Sequence, residues 1–210
     1  MKKGILFILS LFTFSLLSSS GYAQKSKKME NNQYEQITLG AGCFWCVEAV
    51  FQRVNGVVKV ESGYANGQVP NPSYRDVCTG MTGYAEVAQL TYDPKVVTFK
   101  EILEVFWHTH NPTTLNQQGA DKGTQYRSGI YYHNEEQKAI AEASLKKTDA
   151  SGLWDKPIVT EIRPLSNYYV AEDYHQNYYN TNKNQPYCSI VIVPKLKKLE
   201  SEFPNLLKEK

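Results

Sequence analysis

The chain is 210 residues long and carries 23 lysine and arginine residues against 21 aspartate and glutamate residues, a formal net charge of +2. Lys2 and Lys3 account for that excess, so the remaining sequence has no electrostatic preference for nucleic acid or for an anionic membrane surface. The length is sufficient for one domain with its own hydrophobic core.

The first 23 residues have the pattern of a secretory signal peptide. Lys2 and Lys3 precede an apolar stretch at 4–17, and small residues follow as far as Ala23, where cleavage is expected. The apolar stretch is short for a membrane span, although an uncleaved anchor is the alternative. The sequence therefore predicts an exported protein, periplasmic or secreted, without membrane attachment after cleavage.

Behind the predicted signal, the chain divides into three parts. Residues 24–33 are polar and lack periodicity, which is typical of a flexible linker. A single domain is predicted over 34–199, and residues 200–210 are predicted to be a polar tail. Lysines on both sides of the domain are expected to be solvated; they are Lys25, Lys27, Lys28, Lys195, Lys197 and Lys198.

A pair of cysteines follows the first predicted strand, at 35–40. Small residues favour a tight turn after that strand, and apolar residues then recur at three- and four-residue intervals, which predicts a helix over 44–54. Cys43 would lie at the amino-terminal end of this helix, where free backbone N–H groups stabilise a thiolate and lower the thiol pKa. Cys46 follows within the same predicted helix.

The residues alone leave three uses open for Cys43 and Cys46. They are a redox or nucleophilic pair, small buried hydrophobic residues, or half of a zinc site. The sequence has no second cysteine pair, because Cys78 and Cys188 are isolated. The closely spaced histidines, His108 and His110, are too near each other for a usual zinc motif. Redox or nucleophilic use is therefore favoured.

The remaining elements follow the order of a split βαβ sandwich. Strands are predicted at 57–64, 84–92 and 128–133, and Thr98 is expected to cap a helix over 99–109. The order β-α-β-β-α-β predicts an α/β (α+β) two-layer sandwich with a ferredoxin-like core. A helix at 134–147 and a strand at 157–163 are predicted after this core. The irregular carboxy-terminal extension that follows is predicted to contain a short helix around 171–178 and a strand-like segment at 189–193.

Two further regions contain residues suited to chemistry. The loop at 110–127 is long for a compact domain and ends in a run of hydrogen-bonding side chains, which is typical of a functional loop. Glu86 is a carboxylate within a segment otherwise suited to a buried strand. On an exposed face, Glu86 would be an ordinary surface charge. Against an apolar site, burial would raise its pKa and keep a proton available for general acid catalysis.

Five segments resemble the A-type peptide methionine sulfoxide reductases. In chain order, they are GCFWCVEAVF at 42–51, SGYANG at 62–67, PSYRDVCTGMTGYAEVAQLTYDP at 72–94, NPTTLNQQGADKGTQYRSGIYY at 111–132 and AEDYHQNYY at 171–179. The match extends over nearly all of residues 36–194 in the expected order, so a chance match to one short motif is excluded. The resemblance implies reduction of the S epimer of methionine sulfoxide to methionine, and hence repair of oxidised proteins.

The resemblance also implies a role for each site residue. Cys43 attacks the sulfoxide sulfur while Glu86 protonates the departing oxygen, which is a poor leaving group until it is protonated. The products are methionine and a sulfenic acid on Cys43, which a second thiol converts to a disulfide. The other implied contacts are hydrogen bonds from Tyr74 and Tyr126 to the oxygen, an organising role for Asp121, and contact of Phe44 and Trp45 with the S-methyl group.

Members of the family are similar in needing no metal and no bound organic cofactor. Reducing equivalents are expected from thioredoxin or a thioredoxin-like donor, or from dithiothreitol in vitro. The expected partners are oxidised methionine-containing proteins, free methionine sulfoxide and the reductant. No nucleic-acid partner is expected.

Three positions depart from the usual family pattern. Cys46 occupies a position that is more often glycine, and Tyr84 and Asn111 stand where histidine and aspartate are common. Cys46 is predicted to resolve the sulfenic acid. Cys188 is the competing thiol, in a proline- and asparagine-rich stretch similar to the region where other members keep a recycling cysteine, and Cys78 is predicted to be a packed loop residue.

Two functions of other classes remain as alternatives. An exported thioredoxin-like thiol-disulfide oxidoreductase would explain the cysteine pair, but the order of elements lacks the expected βαβ start and proline loop. A secreted module with structural disulfides is disfavoured, because four cysteines are too few to staple a domain that already has a core.

Overall fold

The computed structural model describes Met1 and residues 33–209. The predicted signal peptide and linker therefore lie almost entirely outside the described residues. The strands of the described part are β1 (Glu35–Ala41), β2 (Val57–Ala65), β3 (Ala85–Tyr92), β4 (Gln117–Gln118), β5 (Asp121–Lys122), β6 (Ser128–Tyr132), β7 (Glu161–Pro164) and β8 (Tyr168–Val170). The α-helices are α1 (Phe44–Phe51), α2 (Tyr74–Cys78), α3 (Phe99–Thr109), α4 (Glu135–Ala150), α5 (Tyr178–Thr181) and α6 (Val193–Glu202).

The sheet has the strand order β7-β6-β1-β3-β2-β8. Its four central strands pair antiparallel, so α1 connects β1 to β2 with β3 between them, and α3 connects β3 to β6 with β1 between them. This is the predicted ferredoxin-like split βαβ core. β7 extends one edge in parallel with β6, and β8 extends the other edge antiparallel to β2.

Local chemistry explains the agreement at α3, whose ends match the predicted helix over 99–109. Thr98 Oγ1 accepts the Glu101 N–H, and the Glu101 carboxylate accepts the Thr98 N–H, which forms a capping box. The buried side chains of α3 recur at helical intervals and pack into the main core; among them are Ile102, Leu103, Phe106 and Trp107.

Strand β3 is buried on both faces. Ala85 and Val87 belong to a small cluster covered by Leu165 and Tyr168. The alternate residues Ala88, Leu90 and Tyr92 belong to the main core together with α1, and by the alternation of the strand Glu86 lies on that face as well. Glu86 is 1% exposed, so the interpretation as a surface charge is wrong.

The prediction of a strand at 189–193 is wrong. Residues 188–192 form one turn of π-helix that continues directly into α6. β-Branched residues made the segment resemble a strand, but Cys188, Ile192, Leu196 and Leu199 are buried at helical spacing. This helical spacing becomes visible in the sequence only when the segment is considered together with the lysine-rich residues after 193.

Other differences lie in connections and in the carboxy-terminal part. The predicted helix around 171–178 is a 3-10 turn at Asp173–His175 followed by α5. The connection between β2 and β3 contains α2, and the predicted loop at 110–127 contains the β4–β5 hairpin. Leu207, within the predicted polar tail, pairs with Val54 and packs against the core. Across the described residues, no helix combines the length and the apolar character needed to cross a membrane.

Candidate active site

Cys43 lies where β1 ends and α1 begins, as predicted. It is the N-cap residue of α1, its side chain is buried, and its carbonyl accepts the Cys46 N–H at 3.0 Å. Gly42 before it has a φ of +87°, and a Cβ there would lie 2.6 Å from Gln118 side-chain atoms. Glycine is therefore required for the turn that presents Cys43.

The thiols of Cys43 and Cys46 influence each other's ionisation. Burial raises the pKa of Cys43 well above its usual range, and the bond to Cys46 and the nearby Glu86 carboxyl raise it further. The predicted lowering of the Cys43 pKa by the helix end is therefore wrong for this state. The pKa of Cys46 is lowered, chiefly by the hydrogen bond from Cys43, with further lowering by Lys195.

Glu86 faces the amino-terminal end of α1. Its Oε2 accepts the backbone N–H of Phe44 at 3.1 Å, whereas its Oε1 is buried and has no hydrogen-bond partner in the described residues. Burial raises the pKa of Glu86 to about 8, against the opposing effect of the Phe44 N–H. The carboxyl is therefore mostly protonated at neutral pH and can donate a proton from one oxygen.

Tyr74 and Tyr126 come from different elements and are both half-buried. Tyr74 begins α2, and its N–H donates to Glu172 Oε1 at 2.9 Å, whereas Tyr126 ends a 3-10 turn at Thr124–Tyr126. Burial raises the pKa of both hydroxyls, and the charge of Glu86 raises it further. Both phenols remain hydrogen-bond donors near the same carboxyl.

Aromatic rings surround the segment after Cys43. The Phe44 ring is fully buried and stacks with Tyr74 at 6.2 Å between centroids, and the half-buried Trp45 stacks on Tyr178 at 3.6 Å. The centroid of His175 lies 5.0 Å from that of Phe44 and 4.2 Å from that of Tyr74, and its Nδ1 accepts the Trp45 indole N–H at 3.1 Å. His175 lies in the quoted AEDYHQNYY motif but was not singled out.

Asp121 reaches the cysteine pair through Tyr187, which the sequence analysis missed. The Tyr187 hydroxyl donates to Asp121 Oδ2 at 2.8 Å, and its oxygen lies 3.8 Å from Cys46 Sγ. Burial and the neighbouring Cys43 and Cys46 raise the pKa of Tyr187. Its position directly before Cys188 was the available signal.

The other two cysteines occupy different environments. Cys188 is fully buried at the start of the π-helical turn, and burial raises its pKa. Cys78 is exposed at the end of α2, so its prediction as a packed loop residue is wrong. All four cysteines are free thiols within 33–209.

A cavity of about 220 Å³ adjoins the cysteine pair. Its lining includes Cys43, Cys46, Asp121, Tyr187 and Lys195. The Lys195 ammonium donates to the Thr109 carbonyl at 3.1 Å, and the residue is half-buried, so its prediction as a solvated lysine is wrong.

The two remaining departures from the usual pattern have local contacts. Tyr84 is buried, and its hydroxyl donates to the Val69 carbonyl at 2.7 Å, which holds the loop after β2. Asn111 Oδ1 accepts the N–H of Thr113 at 2.9 Å and the hydroxyl of the same residue at 2.7 Å. Both side chains therefore stabilise loops.

A family model described as peptide methionine sulfoxide reductase matches residues 35–207. A relative from Sulfolobus acidocaldarius, peptide methionine sulfoxide reductase MsrA, is 55% identical over 171 residues, which are 81% of this chain and 96% of the relative. The protein of the same name from Leptospira borgpetersenii is 57% identical over 164 residues, covering 78% of this chain and 92% of the relative.

A solved structure has a similar fold. The crystal structure of Mxr1 from Saccharomyces cerevisiae in reduced form has a TM-score of 0.65 and 40% sequence identity to this chain. The match covers 78% of this chain and 94% of that protein. The family model spans the cysteine pair, the sheet and most of the carboxy-terminal part.

Proposed function

The chain belongs to the family of peptide methionine sulfoxide reductases, and from this membership we propose how its own residues carry out the reaction. The enzyme reduces the S epimer of methionine sulfoxide, in proteins and as the free amino acid, to methionine. Its reductant is a thioredoxin-type dithiol, and no bound cofactor takes part. Membership over the whole domain does not favour a thioredoxin-like oxidoreductase.

Cys43 is the proposed nucleophile and Glu86 the proposed general acid. One observation carries this assignment: Glu86 is buried with one oxygen held by the N–H of Phe44, the residue after Cys43, and the other oxygen without a partner. A buried unpaired oxygen is costly to the fold, and such atoms are concentrated at functional sites. A protonated carboxyl there can donate to a sulfoxide oxygen beside the Cys43 sulfur.

The proposed step conserves atoms and protons. The Cys43 sulfur attacks the sulfoxide sulfur as Glu86 gives its proton to the oxygen, and the carboxylate left behind can take the proton that Cys43 loses. The sulfur–oxygen bond of the substrate breaks, and the oxygen leaves as water with the protons from Glu86 and Cys43. A water molecule then bonds to the Cys43 sulfur as the bond between Cys43 and the substrate sulfur breaks, one proton returns to Glu86, and methionine and a Cys43 sulfenic acid result. Methionine sulfoxide is reduced by two electrons and Cys43 is oxidised by two.

The raised Cys43 pKa is compatible with this order of events. Part of the rise comes from negative charge on Glu86, and that part is absent while the carboxyl is protonated. The free thiol is thus protected from unproductive oxidation, because the thiolate is the reactive form. A bound sulfoxide oxygen that draws the Glu86 proton creates the base that activates Cys43.

The remaining site residues are proposed to hold the substrate. Tyr74 and Tyr126 are donors that hydrogen-bond the sulfoxide oxygen, and their closeness to Glu86 supports this. The half-buried Trp45 contacts the S-methyl group, with the buried Phe44 ring packed behind it. Asp121 organises the site through Tyr187.

Recycling is proposed to run through Cys46. Both cysteines lie in the first turn of α1 and line the same cavity, which supports direct disulfide formation after turnover. Cys188 stays the competing thiol, but it is fully buried and directly follows Tyr187 in the sequence.

An assay with the separate sulfoxide epimers tests this function. Without reductant, the reduced enzyme should release about one methionine per molecule from the S epimer and almost none from the R epimer. Cys43→Ser should release none, because a serine hydroxyl is essentially un-ionised. Insulin reduction, measured in parallel, should stay at background. A folded Cys43→Ser protein with turnover within about tenfold of wild type would overturn the assignment.

Peptide mapping after the same reaction tests the recycling thiol. The expected main product is a bond between Cys43 and Cys46, with Cys188 free. A bond between Cys43 and Cys188 as the main product would reverse this order while leaving the reductase function intact.

Export is proposed on the sequence pattern alone. Residues 1–23 combine two lysines, an apolar stretch and small residues before the expected cleavage site. We propose a periplasmic or secreted mature enzyme that begins at Gln24, reduced by a thioredoxin-like donor outside the cytoplasm.

A further inference from the structure

Cys46 lies between two cavities that share one cationic residue. The larger cavity, of about 220 Å³, contains both Cys43 and Cys46 in its lining. A void of about 10 Å³ lies on another side of Cys46 and is lined also by Thr109 and His110. Lys195 lines both. Lys195 and Cys46 therefore line both cavities together, and Lys195 Nζ donates to Thr109, another residue of the smaller one.

The position of Lys195 is fixed from two directions. Leu196 and Leu199 on α6, and Ile192 directly before it, are buried and hold the helix against the core. At the other end of the side chain, Nζ donates to the carbonyl of Thr109, the last residue of α3. A half-buried ammonium held in this way is screened less than a surface lysine, so its charge acts strongly on nearby groups.

We propose that Lys195 is a positioning residue for the recycling step, in which its ammonium stabilises Cys46 as the thiolate that attacks oxidised Cys43. The proposal rests on the assignment of Cys46 as the recycling thiol. In this step, the Cys46 sulfur bonds to the Cys43 sulfur, the sulfur–oxygen bond of the sulfenic acid breaks, and hydroxide leaves to become water with a proton from solvent in the cavity. Cys46 is oxidised and the sulfenic sulfur is reduced.

The charge of Lys195 matters most at this step. In the resting site, the strongest effect lowering the Cys46 pKa is the hydrogen bond from the Cys43 thiol, and that thiol no longer exists once Cys43 carries oxygen. The Tyr187 hydroxyl has a single hydrogen, which it donates to Asp121. Among the described residues around Cys46, Lys195 is then the cation that remains.

Of the other titratable groups near Cys46, Asp121 opposes a thiolate, whereas Glu86, Cys188 and His110 are neutral at about pH 7. Tyr187 lowers the Cys46 pKa less than Lys195 does, and the Cys43 thiol is consumed by the oxidation. Glu86 is mostly neutral below its pKa of about 8, and burial keeps Cys188 and Tyr187 protonated. The negative charge of Asp121 remains and raises the Cys46 pKa, so a cation is needed to offset it.

The test compares the two rates within one turnover of the full-length enzyme. Reduced protein is mixed with the S-sulfoxide, quenched at intervals, and analysed for released methionine and for the Cys43–Cys46 disulfide by peptide mapping. Lys195→Met removes the charge and keeps the length, Lys195→Arg keeps the charge, and Lys197→Met is the matched control on an exposed position of α6.

For Lys195→Met, the ratio of the disulfide rate to the methionine rate should fall about tenfold at about pH 7, the effect of one pKa unit on thiolate population. At about pH 9 the ratio should return toward wild type, because Cys46 then ionises without the cation. Lys195→Arg should keep a ratio within about threefold of wild type. The control Lys197→Met should have the wild-type ratio.

Several outcomes would overturn the proposal. An unchanged ratio and pH profile in Lys195→Met would show that the charge is not used. Loss of the disulfide at every pH, in both Lys195→Met and Lys195→Arg, would show a structural role for the contact with Thr109. A wild-type enzyme that releases methionine but forms no Cys43–Cys46 bond would overturn the Cys46 assignment, and one that releases no methionine would overturn the proposed function.

Discussion

At the scale of single residues, the site is organised around one buried proton. Glu86 lies 1% exposed with an unpartnered oxygen, and its neighbours Cys43, Tyr74 and Tyr126 all have raised pKa values because of burial and, in part, because of Glu86 itself. A carboxyl with a pKa of about 8 retains its proton at neutral pH, as a general acid requires.

Glu86→Gln should therefore reduce the rate of methionine release on the order of 10²-fold or more, because the amide keeps the shape but has no acidic proton. The wild-type rate should fall above about pH 8, where Glu86 ionises, and the variant should lack that decline. Single-turnover rates across pH check this. Glu61→Gln on β2 is the control, expected within about twofold of wild type. An unchanged rate in Glu86→Gln would make Glu86 a bystander.

The same raised pKa has a consequence for stability. The folded state holds the Glu86 proton more tightly than the unfolded state, so this contribution to stability is fully present below the ordinary glutamate pKa and is lost as pH rises to about 8. Over that pH interval, the thermal stability of wild type should fall more than the thermal stability of Glu86→Gln. Parallel curves for the two proteins would contradict the buried, protonated state.

At the scale of elements, α1 joins the reactive cysteines to the carboxy-terminal part. The buried Glu48 on α1 accepts the N–H groups of Asn177 at 2.7 Å and Tyr178 at 3.2 Å. Asn177 has a φ of 53°, a left-handed conformation that asparagine tolerates. These bonds place Tyr178 where its ring stacks on Trp45.

Glu48→Gln should destabilise the protein by about 1–3 kcal/mol, because the amide NH₂ replaces one of the two acceptors and leaves a buried backbone N–H unsatisfied. Chemical denaturation measures this difference. Glu142→Gln, on an exposed position of α4, should change the free energy of unfolding by less than about 0.5 kcal/mol. A Glu48→Gln protein as stable as its control would show that the two N–H groups find other acceptors.

At the scale of the whole molecule, chain segments far apart in sequence meet at one end of α1. The first half of the domain contributes the cysteine pair and Glu86, the middle loop contributes Asp121, and the carboxy-terminal part contributes Tyr187 and Lys195. We propose that the first group reduces the sulfoxide and that recycling depends on Lys195 in the last group.

The proposed export is tested on the whole chain. When the protein is expressed in a bacterial host with a general secretion pathway, it should be found outside the cytoplasm. Its mass should be that of a chain that begins at Gln24. Ala23→Phe should block cleavage, because a small residue is needed before the cleaved bond. Mass spectrometry of the purified proteins checks both. A wild-type protein that retains Met1 in the cytoplasmic fraction would exclude the signal.

The sequence by itself determined the order of elements, the helix over 99–109 and the strand-turn-helix context of Cys43, because periodicity, caps and glycine turns act over a few residues. It also indicated Glu86 but left its face open. The motif resemblance named most of the site residues, including Tyr74, Tyr126 and Asp121.

Only the tertiary structure decided the environments. Burial on both faces of β3 raises the pKa of Glu86, and burial reverses the pKa shift expected for Cys43 at a helix end. The helix that begins at Cys188 brings Lys195 beside Cys46, although its β-branched residues resemble a strand. Desolvation and charge proximity depend on segments distant in sequence, so no local pattern encodes them.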